Sequence, residues 1–262
     1  GKNVLEVVCE EEKLETFNRV NNTTEVASDL FLIGDSHFGK YAKFLNQLGV
    51  NFHGGQIMSA SGFTDNNFVL DRDKIFNPID DEASSNIWGK TFDALKKSDL
   101  NNQIYTNIGF QTHRTIPFIM NHYRASILSL EDISDYFSKF FTNTLTILSK
   151  LGNYGSVTLV EDPNIYIFLD ESETPVGTNV KLLRANFLTY CSYMKRLSDV
   201  IGYNYLSPYD LIFPDLYKNT KDIKFLVGDD FVHSSELFYQ KFASFLQQEN
   251  CKDNFDDGDK AV

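Results

Sequence analysis

The chain has 262 residues and a mass of 30.0 kDa, enough to bury a full core as one large domain or two small ones. With 42% apolar and 23% charged residues it is neither a disordered nor a collagen-like composition. A formal charge of −12 argues against nucleic-acid backbones and anionic lipid surfaces as partners, and no run of Lys or Arg exceeds two. The longest apolar runs, such as Leu30 to Ile33, are far too short to cross a bilayer, so no membrane insertion is expected.

Residues 1–28 are mixed and polar, with acids at Glu10 to Glu12, and read as an N-terminal extension that does not resemble a secretory signal. The first core element is Leu30-Phe-Leu-Ile33, an unbroken apolar run of the kind that forms a strand covered on both faces. Phe38, Tyr41, Phe44, Leu45 and Leu48 then recur at helical spacing, and Gly49 closes the helix. Val50 to Met58 reads as a second strand and Gln103 to Phe110 as a third. Ser129 has the character of an N-cap, with acids in the turn after it, and opens a helix expected to run through Leu148 to Gly152. Ser156 to Val160 is a fourth strand, and Val180 to Leu197 carries the apolar spacing of a long helix. A short strand around Tyr203 to Leu206, an extended piece at Lys224 to Val227 and a helix over Glu236 to Gln248 complete the order. Thr64 to Asp99 and Gln111 to Leu128 are too long for simple connections and are expected to decorate the strand ends. Residues 249–262 are acidic and are expected to be a disordered tail.

Strands alternating with long helices predict an α/β fold with a mainly parallel sheet and helices on both faces. In such folds the reactive groups gather beyond the carboxyl ends of the strands, which is where Gly34-Asp35-Ser36-His37 falls. A serine there has its backbone N–H at the positive end of a helix. Its hydroxyl needs a base held by a third group, and Asp230-Phe-Val-His233, ahead of the last helix, offers an imidazole and a carboxylate to orient it. Each tetrapeptide alone has a plain alternative, a turn or a helix cap; together, at the first strand and last helix, they are specific.

On these two blocks the chain resembles the SGNH, or GDSL-type, hydrolase superfamily: Leu32-Ile-Gly-Asp-Ser-His37 matches its nucleophile block and Asp230 to His233 its Asp-x-x-His block. The resemblance spans roughly residues 29–248 and implies a flavodoxin-like three-layer αβα sandwich on a five-stranded, mainly parallel sheet. It also implies a Ser36, His233 and Asp230 triad working through an acyl-enzyme. The oxyanion would be held by the N–H groups of Ser36 and Gly62, from Ser59-Ala-Ser-Gly62, with Gly55 as the alternative glycine. The family's third block reads Gly-x-Asn, whereas this chain has Gly109-Phe-Gln111. Gln111 is the expected third donor, with Asn107 or His113 as substitutes. His37 is similar to the residue in SGNH domains attached to bacterial polysaccharide O-acetyltransferases, which implies acetyl esters of carbohydrate as substrate; its plain alternative is a packed or solvent-facing residue.

Three widely spaced cysteines, Cys9, Cys191 and Cys251, suit neither a disulfide framework nor a zinc site. No nucleotide-binding loop or Cys/His cluster is present, so no cofactor is expected. His53, His113 and His122 read as structural, Arg114 as a possible sugar contact, and Asp162-Pro163 most simply as a turn, with a strand-end acid lining the cleft as the alternative. Two rival readings are a metallophosphoesterase, in which Asp35 and His37 bind metal, and a non-catalytic carbohydrate-binding or scaffolding module. Reduced-looking cysteines suggest the cytoplasm; a domain of a longer exported protein is the alternative.

Overall fold

The computed structural model describes residues 29–79, 81–98, 101–163, 179–212 and 232–259. Strand β1 (Leu30–Gly34) is buried at every position. Its side chains alternate between two cores: Phe31 and Ile33 join one with Trp88, Phe110 and Tyr190, while Leu30 and Leu32 join another with Tyr41, Phe238 and Phe242. Two apolar faces explain why the run is continuous rather than alternating.

Beside β1 lie β2 (His53–Gln56) and β5 (Asn102–Thr106), followed outward by β6 (Gly155–Val160) and β7 (Asn204–Leu206), in the order β2-β1-β5-β6-β7. Every pairing in this five-stranded sheet is parallel. Helices α1 (Ser36–Gln47) and α9 (Glu236–Asp259) cover one face. The other is covered by α3 (Glu82–Lys97), α4 (Thr112–Tyr123), α5 (Leu130–Phe140), α6 (Thr142–Leu151) and α7 (Val180–Ile201). The result is the expected α/β three-layer sandwich, wound in the flavodoxin-like manner. Its topological switch point lies between β1 and β5, so ligands are expected beyond their carboxyl ends.

The structure sharpens or departs from the sequence expectation at several places, and the second strand is shorter than expected, His53–Gln56. The third strand stops at Thr106, where the backbone turns: Ile108 N–H donates to Thr106 Oγ1 at 3.1 Å, and Gly109 follows at φ +95°. The helix expected from Ser129 to Gly152 divides at Phe141 (φ −119°, ψ 22°), where the ring is buried against Tyr136 and Phe137. No Gly or Pro marks that break; aromatic packing overrides local helix preference. The two decorations are ordered structure: α2 (Ala60–Thr64) and the antiparallel hairpin of β3 (Phe68–Asp71) and β4 (Ile75–Pro78) precede α3, and α4 fills the second. Trp88 of α3 ties the hairpin down by donating to Phe76 O at 2.7 Å. Finally, the last helix continues to Asp259, so the backbone expected to fray beyond Gln248 is helical that far. The extended piece expected at 224–227 lies outside the described residues, while α8 (Pro208–Ile212) follows β7.

Candidate active site

Gly34-Asp35-Ser36-His37 makes the passage from β1 into α1. Gly34 permits close approach: a Cβ there would lie 2.4 Å from Asn107 Oδ1 and 2.5 Å from the Phe38 ring. Asp35 is the N-cap of α1, its carboxylate accepting His37 N–H at 3.0 Å. Ser36 is therefore the first helical residue, half-buried, with its N–H at the positive end of the helix. Among the described residues nothing accepts a hydrogen bond from that N–H.

One residue of each sequence block meets the other. Ser36 Oγ lies 2.7 Å from His233 Nε2, within the reach a general base needs. His233 stands just ahead of α9, which packs against α1, and this helix pairing brings the chain's last core element over its first. Asp230, the expected orienting carboxylate, lies outside the described residues.

Beneath Ser36 is a buried polar layer. Asn107, just beyond β5, donates from Nδ2 to Asp35 Oδ1 at 2.8 Å and to Asp162 Oδ1 at 3.0 Å, and accepts Asp35 N–H at 3.2 Å. Asp162, just beyond β6, also accepts from Thr112 N–H at 2.9 Å and Thr112 Oγ1 at 3.1 Å. Burial pushes the Asp162 carboxyl up to about 8, and the neighbouring Asp35 charge adds to the effect. Burial and the adjacent charge both oppose ionisation of Asp162, which therefore retains its proton at neutral pH.

Gln111 does not do what the third block predicts. Its side chain is buried, with Nε2 donating to Asn107 O at 3.0 Å and Asp35 Oδ2 at 3.3 Å, and Oε1 accepting Gly109 N–H at 3.0 Å. Both amide hydrogens are engaged within the protein, so the extra methylene carries the amide into the Asp35 layer. Asn107, the possible substitute, is likewise engaged below Ser36. Gly62 is buried in α2, and its N–H donates to Ser59 Oγ at 3.1 Å as part of the helix cap. Gly55 lies in β2, at φ +121°.

Arg114, a possible sugar contact from sequence, bonds through Nε to Thr64 Oγ1 at 3.0 Å and reaches Asp65 at 3.4 Å. His53 stacks on Phe31 at 4.8 Å, and His122 packs among Tyr123, Tyr136 and Phe140. His37 is buried, its Nδ1 2.8 Å from Tyr239 OH. Asp35, His37 and Asp162 place potential metal-ligating atoms within 4.8 Å of one another. However, every oxygen of the two carboxylates already accepts a hydrogen bond from a protein donor. Cys191 is buried and free, its thiol pushed up chiefly by burial. Asp162-Pro163 reads in sequence most simply as a turn, with a cleft-lining strand-end acid as the alternative, and Tyr239 carries no sequence signal.

No protein-family profile matches the chain, and no curated protein does. Among solved structures it is similar to a gut microbial diltiazem-metabolizing enzyme, at 13% identity and a TM-score of 0.49, with 87% of this chain and 48% of that one covered. It is also similar to an extracellular lipase from Streptomyces rimosus, at 11% identity and a TM-score of 0.49, with 84% and 98% covered. The chain thus spans about half the length of the first of these. Likeness at this level assigns neither family nor activity.

Proposed function

We propose that the protein is an SGNH-type serine esterase or O-acetyltransferase acting on acyl esters, acetylated carbohydrate foremost. The observation that carries this reading is the 2.7 Å approach of His233 Nε2 to Ser36 Oγ at the head of α1. In the proposed cycle His233 removes the Ser36 proton as Oγ attacks the ester carbonyl, and Asp230 orients the imidazole. The oxyanion forms against the Ser36 N–H, with Gly62 N–H as the second donor once it leaves Ser59 Oγ. Collapse breaks the bond between the acyl carbon and the sugar oxygen, and that departing oxygen takes the proton from protonated His233 to leave as a hydroxyl. Water, or a second sugar hydroxyl, then attacks the acyl carbon as His233 takes its proton; the bond from the acyl carbon to Oγ breaks, and Oγ recovers a proton from His233, which regenerates Ser36. Acetylated carbohydrate as the substrate rests on the His37 resemblance.

The reading is tested by labelling the folded chain with a fluorophosphonate probe and following 4-nitrophenyl acetate turnover. Ser36 carries the adduct, and Ser36→Ala or His233→Ala lowers kcat by at least about 10³-fold. An unlabelled Ser36 in folded protein refutes the nucleophile. Incubation with an acetylated glycan and a separate acceptor then distinguishes release of acetate from transfer.

A further inference from the structure

We propose that His37 and Tyr239 are positioning residues for the base, holding the His233 segment over Ser36 through a buried hydrogen-bond chain. The proposal rests on the reading of Ser36 and His233 as nucleophile and base. The chain begins in the turn that carries the nucleophile. His37 follows Ser36 in α1, is 2% exposed, and bonds through Nδ1 to the Tyr239 hydroxyl of α9 at 2.8 Å. The same oxygen accepts the backbone N–H of Ser234 at 3.2 Å. Ser234 is the residue after His233, and its own hydroxyl lies 2.6 Å from Tyr209 OH of α8. One phenol therefore connects the nucleophile's helix to the backbone next to the base.

The physical need is clear. His233 sits in an irregular stretch before α9, outside any helix or main-sheet strand that would fix its main chain. A base displaced by about 1 Å loses on the order of 10²-fold in rate. The His37 ring also packs beside the base, its centroid 5.0 Å from that of His233 at an interplanar angle of 59°. Asp35 and Asp162 present oxygens within 4.8 Å of a His37 ring nitrogen. Tyr239 itself is faced by Tyr41, with ring centroids 5.3 Å apart, and by Lys40, whose Nζ lies 5.7 Å from the ring centroid. Charge and hydrogen bonding around His37 are thereby transmitted to the position of His233.

The test compares the whole chain with Tyr239→Phe, His37→Leu and His37→Asn, each checked by circular dichroism. The readouts are kcat, KM, the pH profile of kcat/KM on 4-nitrophenyl acetate, and the rate of fluorophosphonate labelling. Tyr239→Phe deletes one oxygen and keeps the ring packed on Tyr41 and Phe238. It and His37→Leu are expected to lower kcat and labelling by about 10- to 100-fold at unchanged KM, and to move the rising limb of the pH profile. His37→Asn places an amide where Nδ1 lies and is expected to restore activity to within about threefold of wild type, which a packing role would not do. In an inactive Ser36→Ala background, the His233 imidazole titration followed by NMR is expected to shift on adding Tyr239→Phe. Wild-type values of kcat, labelling and pH profile in Tyr239→Phe overturn the proposal, as does His37→Asn no faster than His37→Leu. A wild-type chain that fails to label refutes the underlying reading, whereas a labelled wild type with unaffected variants refutes the positioning role alone.

Discussion

Asn107 is bonded twice to Asp35: its side-chain oxygen accepts the Asp35 N–H at 3.2 Å, and its Nδ2 donates to the Asp35 carboxylate at 2.8 Å. The contact joins the ends of two adjacent parallel strands at the switch point of the sheet, directly below Ser36. Asn107→Leu keeps the approximate volume but leaves a buried N–H and two carboxylate oxygens short of a partner. The expected loss is about 3 kcal/mol, read as a lower urea midpoint at an unchanged slope.

Asp162 makes stability depend on pH. In the folded chain its carboxyl titrates near 8, mainly through burial, against about 3.9 for an unfolded aspartate. The folded state therefore keeps a proton that the unfolded state releases between those values. The stabilisation associated with that proton is complete below about pH 4 and is lost as pH rises toward 8. Asp162→Asn cannot titrate, and its amide loses at least one of the present hydrogen bonds to Asn107 and Thr112. The variant is expected to be less stable than wild type near pH 5, with the gap between their urea midpoints narrowing steadily toward about pH 8. A gap that stays constant over that range rejects the linkage.

Gln111 separates a structural role from a catalytic one. Its amide bonds Asp35, Asn107 O and Gly109 N–H, so Gln111→Ala is expected to cost about 2 kcal/mol of stability. Turnover of 4-nitrophenyl acetate by the folded variant should fall by less than about tenfold, whereas loss of a true oxyanion donor costs about 10²–10³. A kcat loss in that higher range, at little cost in stability, would return Gln111 to the oxyanion hole.

Gly34→Ala drives a methyl group against Asn107 Oδ1 and the Phe38 ring. Relief requires the strand end and α1 to separate, at an expected cost of about 1–3 kcal/mol. Because Ser36 moves with α1, fluorophosphonate labelling should slow as well as the melting temperature fall. Labelling at the wild-type rate would show that the strand end yields without moving the serine.

The sequence by itself determined the order of the principal strands and helices, the two-faced burial of β1 and the pairing of a serine block with a histidine block. These are local properties: periodicity reports which faces are apolar, and Gly-Asp-Ser-His carries its own turn and cap. Even so, the division at Phe141 escaped notice, because a buried ring rather than a helix breaker causes it. Only the tertiary structure decided what Asn107, Gln111, Asp162 and Tyr239 do. Their roles depend on buried polar groups finding partners across strands and helices far apart in the chain, and no spacing along one segment records that requirement. The same holds for Ser36 and His233: the residues are legible in sequence, but the 2.7 Å between them belongs to the tertiary structure, in which α9 packs on α1.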